Sequence, residues 1–182
     1  MTKILYITKN KYKVESAKRY TKKLGIELIQ KKLDIEEIQS DSIAKIAKHK
    51  AKKAFKFLKK PLIVSDSGWR IPALKGFPGP YMHYINNWFS SEDFLILMAN
   101  KKDKSVILEH VICGISSKGI KIFKKEFVGK FVKNPKGKGL SSDQVISFKN
   151  NKHTLAECQN INQDSTDDTD LWKKIHQWSK NL

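Results

Sequence analysis

The chain has 182 residues, 40% of them hydrophobic and 10% aromatic, which is enough apolar content for a buried core and marks a globular rather than a disordered protein. Its 36 Lys and Arg against 18 Asp and Glu leave a formal charge of +18, favouring anionic ligands through long-range attraction. No apolar run approaches the roughly 18 residues of a membrane span, and no secretory h-region precedes the first strand; the expectation is one cytoplasmic domain over residues 1–182, with no membrane partner.

The charge is almost all lysine: Arg19 and Arg70 are the two arginines, and the lysines are spread along the chain. Sequence-specific nucleic-acid readers lean on arginine for bidentate contacts. A nucleotide therefore suits this surface better than a dedicated nucleic-acid partner. The two cysteines, Cys113 and Cys158, have no metal-ligand spacing and read as reduced, half-buried thiols.

In chain order, Ile4, Leu5, Tyr6 and Ile7 form a strand, and residues 8–13 follow as a polar turn. A helix is expected over 13–24, with Val14, Ala17, Tyr20 and Leu24 inward and Gly25 closing it. The turn between strand and helix, with Lys13 beside it, is a natural phosphate cradle. Residues 26–33 read as a second strand. Asp34 to Gln39 is an acidic patch in a basic protein, either a solvated turn or a source of metal-binding carboxylates.

Ser42 caps a helix over 43–59 whose inner stripe is Ile43, Ile46, Ala47, Lys50, Ala51, Ala54, Phe57 and Leu58. Lys50 on that stripe either snorkels or points into a cleft. Leu62, Ile63 and Val64 form a short buried strand, with Asp66 expected where it ends, followed by Ser67 and Gly68. A carboxylate at a strand's carboxyl end is where open α/β sheets hold ligands. Residues 71–74 lead into the rigid loop Gly76-Phe77-Pro78-Gly79-Pro80. Residues 84–88 lead to a helix over 91–98. Two strands, 106–115 and 120–132, are joined by the hairpin signal Ser116-Ser117-Lys118-Gly119. Residues 135–139 read as a flexible basic loop, 145–148 as a strand and 150–153 as a turn. The last helix starts near 165–168, with Leu171, Ile175 and Trp178 at helical spacing.

These residues carry a resemblance to the inosine triphosphate pyrophosphatase family across most of the chain. Thr8-x-Asn10-x-x-Lys13 resembles its triphosphate motif, Glu37-Ile38-Gln39 its metal-site segment, and Lys50-Ala51 its helix motif. Asp66-Ser67-Gly68 is similar to its Asp-Ser/Thr-Gly turn, and Phe77-Pro78-Gly79-Pro80-Tyr81 to its Pro-Gly-x-Tyr loop. The resemblance implies metal-dependent hydrolysis of a nucleoside triphosphate to monophosphate and pyrophosphate. It implies Mg²⁺, with Mn²⁺ as the alternative, on Glu37 and Asp66. Lys13 and Lys50 would clamp phosphates, Thr8 and Asn10 would add neutral hydrogen bonds, and Ser67 and Gly68 would complete the substrate turn. The implied fold is an elongated, two-lobed α/β structure with a mixed, twisted central sheet, flanking helices and a central cleft, assembled as a homodimer.

The sequence departs from that family in two places. Ser65 stands where the family carries a second acid. In the base-reading half, the family's loop with its stacking aromatic is here Gly137-Lys138-Gly139-Leu140-Ser141-Ser142-Asp143, and its Ser-His-Arg triplet is Asp167-Asp168-Thr169. Ser142, Asp143, Asp167 and Asp168 are therefore the candidate base-binding residues. An ionised Asp only accepts hydrogen bonds, so these changes favour a base bearing N–H groups. The second reading is a catalytically weak relative that binds a nucleotide or nucleic acid through its lysines. The Asp cluster at 164–170 also reads as helix N-terminal charge.

Overall fold

The chain's first strand is apolar on both of its faces because both are covered. In β1 (Thr2–Ile7), Ile4 and Tyr6 enter one cluster of buried side chains and Ile7 enters another. It pairs in parallel with β2 (Ile26–Lys31) and with β3 (Leu62–Arg70), in register Leu5 to Leu62 and Ile7 to Val64. Parallel neighbours need crossovers, supplied by α1 (Lys11–Thr21) and α2 (Ile43–Leu58). The computed structural model describes residues 2–148, 152–161 and 163–182.

The sheet runs in the order β2-β1-β3-β5-β6-β7, where β5 is Ser105–Ser116, β6 is Gly119–Phe131 and β7 is Ile146–Ser147. Parallel pairing of β1 with β2 and β3, and antiparallel pairing of β6 with β7, make it the mixed sheet expected of an α/β fold. A two-residue strand, β4 (Pro78–Gly79), lies antiparallel to Trp69 and Arg70 of β3. The remaining helices are α3 (Met82–Trp88), α4 (Ser91–Met98), α5 (Leu155–Asn160) and α6 (Thr169–Ser179).

The chain divides into two compact units. The first comprises Met1–Asp66, His110–Lys125 and Asp168–Leu182. Its helices begin on side-chain caps: the Asn10 carboxamide oxygen accepts from the Lys13 amide, and Ser42 Oγ accepts from the Lys45 amide. Ala47, Ala51 and Ala54 are fully buried, so α2 packs through small residues. Phe57, expected on that inner stripe, is instead 74% exposed. It sits in the helix's last turn, and Leu58 and Phe55 cover the apolar cluster there.

The second unit comprises Ser67–Glu109 and Glu126–Asp167. Its core gathers Ile71, Phe94, Met98, Val106, Val145 and Ile146, with Trp69 against Phe148 at a ring separation of 5.9 Å. The Ser90–Asp93 capping box opens α4. Several expectations are corrected. Strand β3 does not stop before Asp66 but continues to Arg70, held by β4, so Asp66, Ser67 and Gly68 lie within a strand. Residues 135–139 are not a loose loop: Lys138 exchanges two hydrogen bonds with the Asn160 carboxamide, and Thr154 Oγ1 donates to the Lys136 carbonyl. Gly137 has φ +82°, and a Cβ there would lie 2.6 Å from the Glu157 amide nitrogen, so a side chain is excluded. Cys113 and Cys158 form no disulfide and are buried rather than half buried; burial pushes the Cys113 thiol up to about 11. The turn expected at 150–153 falls partly outside the described residues.

Candidate active site

The first unit gathers two lysines and two carboxylates from four separate segments. Lys13 comes from the first turn of α1, Lys50 from the middle of α2, Asp66 from β3 and Glu37 from the segment before α2. The Lys50 ammonium donates to Glu37 Oε1 at 2.6 Å and to Asp66 Oδ2 at 3.3 Å. The Lys13 ammonium stands 3.9 Å from Asp66 Oδ1 and donates to the Ser65 carbonyl at 3.5 Å. Asp66 thus lies between two ammonium groups, with 18% of its side chain exposed.

Beside Lys13, the turn at 8–10 is built by its own side chains. The Asn10 amide donates to Thr8 Oγ1 at 3.1 Å, and Asn10 Oδ1 receives the Lys13 amide at 3.2 Å. Gln30 of β2 ties the Thr8 carbonyl at 3.0 Å. These bonds fix the entry into α1, whose N-terminus favours negative charge.

The two lysines are tuned in opposite directions. Burial lowers Lys13's pKa, and the attraction of Asp66 only partly offsets it, with Lys50 pushing the same way as burial. Burial also works against a charge on Lys50, but Asp66 and Glu37 together outweigh it and raise its pKa. Lys50 is therefore the fixed charge of the site, and Lys13 is the one that loses its proton first as pH rises.

Glu37 and Asp66 converge on one ammonium and offer only oxygen donors, the chemistry a hard divalent cation uses. Among the described residues, no third His, Cys, Asp or Glu joins them. Such a pair fits Mg²⁺, which keeps waters and phosphate oxygens as its other ligands. Ser65, where the sequence lacks an acid, is not idle. Its hydroxyl makes a very short hydrogen bond with the Tyr6 phenol. Burial drives the Tyr6 pKa far upward and the Ser65 bond only partly counters it, so the phenol stays neutral. That pairing was not legible in the sequence, because nothing in local spacing links positions 59 residues apart.

The residues expected to read the base are differently placed. Ser142 and Asp143 are buried in the second unit. The Ser142 amide donates to Asn86 Oδ1 at 3.0 Å, and Asp143 Oδ2 accepts from Gln159 Nε2 at 3.0 Å. Burial raises the Asp143 pKa, and hydrogen bonds from Gln159 and Ser142 offset it only in part. Asp168 occupies the N-cap position of α6 without capping it. Its Oδ2 lies 2.9 Å from His110 Nδ1 of β5, and its buried Oδ1 has no hydrogen-bond partner. Asp167 precedes it in the segment before α6, and Ser67 and Gly68 follow Asp66 along β3. The structure brings Lys13, Lys50, Glu37 and Asp66 together beside the Thr8–Asn10 turn; Ser142 and Asp143 form a separate group.

In a mixed α/β sheet protein, Asp66 from a strand, Lys13 and Lys50 from helices and Glu37 from a connecting segment meet beside a helix N-terminus, a setting suited to anionic phosphate. Comparison with known proteins places it more narrowly. A family model described as the Ham1 family matches residues 4–168. A dITP/XTP pyrophosphatase of Methanopyrus kandleri is 33% identical over 157 residues, covering 85% of this chain and 84% of that protein. One from Thermococcus kodakarensis is 32% identical, covering 75% and 74%. Among solved structures, a HAM1 protein from Coxiella burnetii superposes with a TM-score of 0.80 at 20% identity, covering all of both chains. The Staphylococcus aureus Ham1 protein gives 0.77 at 22% identity, covering 98% of each. The chain belongs to the Ham1 family, and it is an enzyme of that family's kind, a nucleoside triphosphate pyrophosphatase.

Proposed function

We propose that this enzyme cleaves nucleoside triphosphates between the α and β phosphates at Asp66, Glu37, Lys13 and Lys50. The convergence of both lysines on Asp66 carries this reading. Lys50 and Lys13 neutralise charge on the phosphate chain as point charges, and Thr8 and Asn10 hold the turn that receives it. Asp66 orients the attacking water and accepts its proton as the water oxygen bonds to phosphorus. The phosphoanhydride bond breaks, and pyrophosphate leaves against the lysines. Glu37 and Asp66 would hold Mg²⁺, or Mn²⁺, which when bound neutralises phosphate charge and polarises the phosphoryl oxygen. Ser67 and Gly68 line the strand next to Asp66 and serve the same substrate.

The base preference is proposed to differ from that of the dITP/XTP pyrophosphatases. Asp168 offers an unpartnered acceptor oxygen where a carbonyl-reading donor would be needed, and Ser142 supplies no aromatic platform. Asp167, beside Asp168 in the chain, is assigned to the base end with it, and Ser142 and Asp143 are assigned there through the loop whose shape their hydrogen bonds hold. A cytoplasmic homodimer is the expected form: the cysteines form no disulfide, and α3 and α4 expose Tyr84, Trp88 and Ile96, the last two each 71% exposed. No helix among the described residues is long and apolar enough to cross a membrane.

The test is pyrophosphate release from a panel of common and modified nucleoside triphosphates, with and without Mg²⁺. Release from none of them, under metal and pH conditions that leave the fold intact, rules the proposal out. Light scattering of the wild type and of Trp88→Glu tests the dimer, which the variant should dissociate.

A further inference from the structure

The first unit carries a second basic feature that the catalytic reading does not use. Between β6 and α6 lies a pocket of about 520 Å³, within the range of small-ligand sites. Lys121 and Lys124 line it from β6, and Lys174, Gln177 and Trp178 from α6, with Phe123 between them. Trp178 is set there by a missing side chain. A Cβ on Gly114 would lie 2.9 Å from the six-membered ring of the indole, so only glycine lets the ring lie against β5. Phe123 then meets it edge to face at 6.2 Å. The result is an aromatic wall surrounded by three lysines and an amide.

We propose that this pocket binds single-stranded nucleic acid without sequence preference, one base stacking on Trp178 while Lys121, Lys124 and Lys174 pair with phosphates. Stacking tolerates any base because every base has a π face. Lysines act as point charges and read no base edge, and no arginine lines the pocket to add bidentate readout. The net charge of +18 supplies the long-range attraction that brings a polyanion to the surface. The catalytic cluster draws on other residues, so this site and the proposed reaction fail independently.

The experiment is fluorescence anisotropy of labelled oligothymidylate of about 12 nucleotides, within the span of known single-strand sites. Three phosphate contacts predict affinity falling about twentyfold between roughly 50 and 200 mM salt. Lys121→Glu/Lys124→Glu/Lys174→Glu should weaken binding at least tenfold and flatten that salt dependence. Lys52→Glu/Lys53→Glu/Lys56→Glu, the same charge change on the exposed face of α2, should keep the wild-type slope. Both variants should hydrolyse triphosphate at the wild-type rate. An abasic oligomer should bind the wild type more weakly than oligothymidylate, and Trp178→Leu should erase that difference. Equal losses in the two triple variants would show diffuse attraction to net charge and overturn the site. Displacement of the oligomer by equimolar nucleoside monophosphate would also overturn it, since the occupant would then be a free nucleotide.

Discussion

The cluster around Asp66 and the loop around Asp143 contain similar residue types, yet their polar atoms are committed differently. Around Asp66 the contacts are charge to charge, some of them long, and the side chains keep partial contact with solvent. Around Asp143 the carboxylate is buried, and a carboxamide and a hydroxyl donate to it. The same loop is fastened to α5 by Lys136, Lys138 and Gly137. A carboxylate held by movable ammonium groups can exchange them for a ligand; one satisfied by a buried carboxamide and hydroxyl mainly holds its loop. The contrast predicts catalysis lost at the first and shape lost at the second.

The largest effect is expected at Asp66. Asp66→Asn keeps volume and removes the charge that orients water and holds both lysines, so turnover should fall by roughly 10³ or more. Glu37→Gln should follow the same course, with melting temperatures close to wild type. Near-normal kcat in both would break the comparison, since the cluster would then be structural.

Much of this cluster was legible in the sequence. Thr8, Asn10 and Lys13 announce a strand-turn-helix junction, and Lys50 betrays itself as a charge on an apolar stripe. The extent of β3 was not legible, because Ser65-Asp66-Ser67-Gly68 has poor strand propensity, and the strand runs through it to Trp69 and Arg70, which pair with Gly79 and Pro78. Helix α5 is too short for a periodic signal, although the capping box from Thr154 to Glu157 was available to find it. The partnership of His110 with Asp168 could not be read, since alternation along β5 gives a face and not a partner.

The next effect is at the base. Competition between inosine triphosphate and the adenosine, guanosine and cytidine triphosphates should disfavour inosine by one to two decades. That corresponds to one or two unmet polar groups at roughly 1–3 kcal/mol each. Asp168→Ala and Asp167→Ala should narrow the gap. Inosine triphosphate emerging as the best substrate by kcat/KM would remove both residues from base selection.

A smaller effect separates the two lysines. Lys13→Ala should raise KM for every triphosphate alike, within about tenfold between bases, because the ammonium senses charge rather than base identity. Lys13, whose pKa burial has lowered, loses its charge before Lys50 as pH rises. KM should therefore climb on the alkaline side first through Lys13, and Lys13→Arg, charged throughout, should move that limb to higher pH. An unmoved limb would assign the titration to another group.

The smallest effect belongs to Asp143 and concerns stability. Burial, only partly offset by its hydrogen bonds, raises its folded pKa above the unfolded value. The native state then holds this proton to a higher pH than the unfolded chain does, so between the two values the unfolded state binds fewer protons. Stability contributed by this group is full below the unfolded pKa and declines as pH rises through the folded one. Asp143→Asn cannot ionise and keeps an acceptor for Gln159, so its own melting temperature should not show that decline. The variant should match or trail the wild type slightly in acid and gain on it toward neutral pH. The shift should be about 2–4 °C for a chain of this length, the equivalent of one net hydrogen bond near 1 kcal/mol. Thermal melts of both proteins across acidic and neutral buffers provide the measurement. A difference that stays constant with pH would mean that burial does not raise the Asp143 pKa, and the contrast between the two regions would fail at its second half.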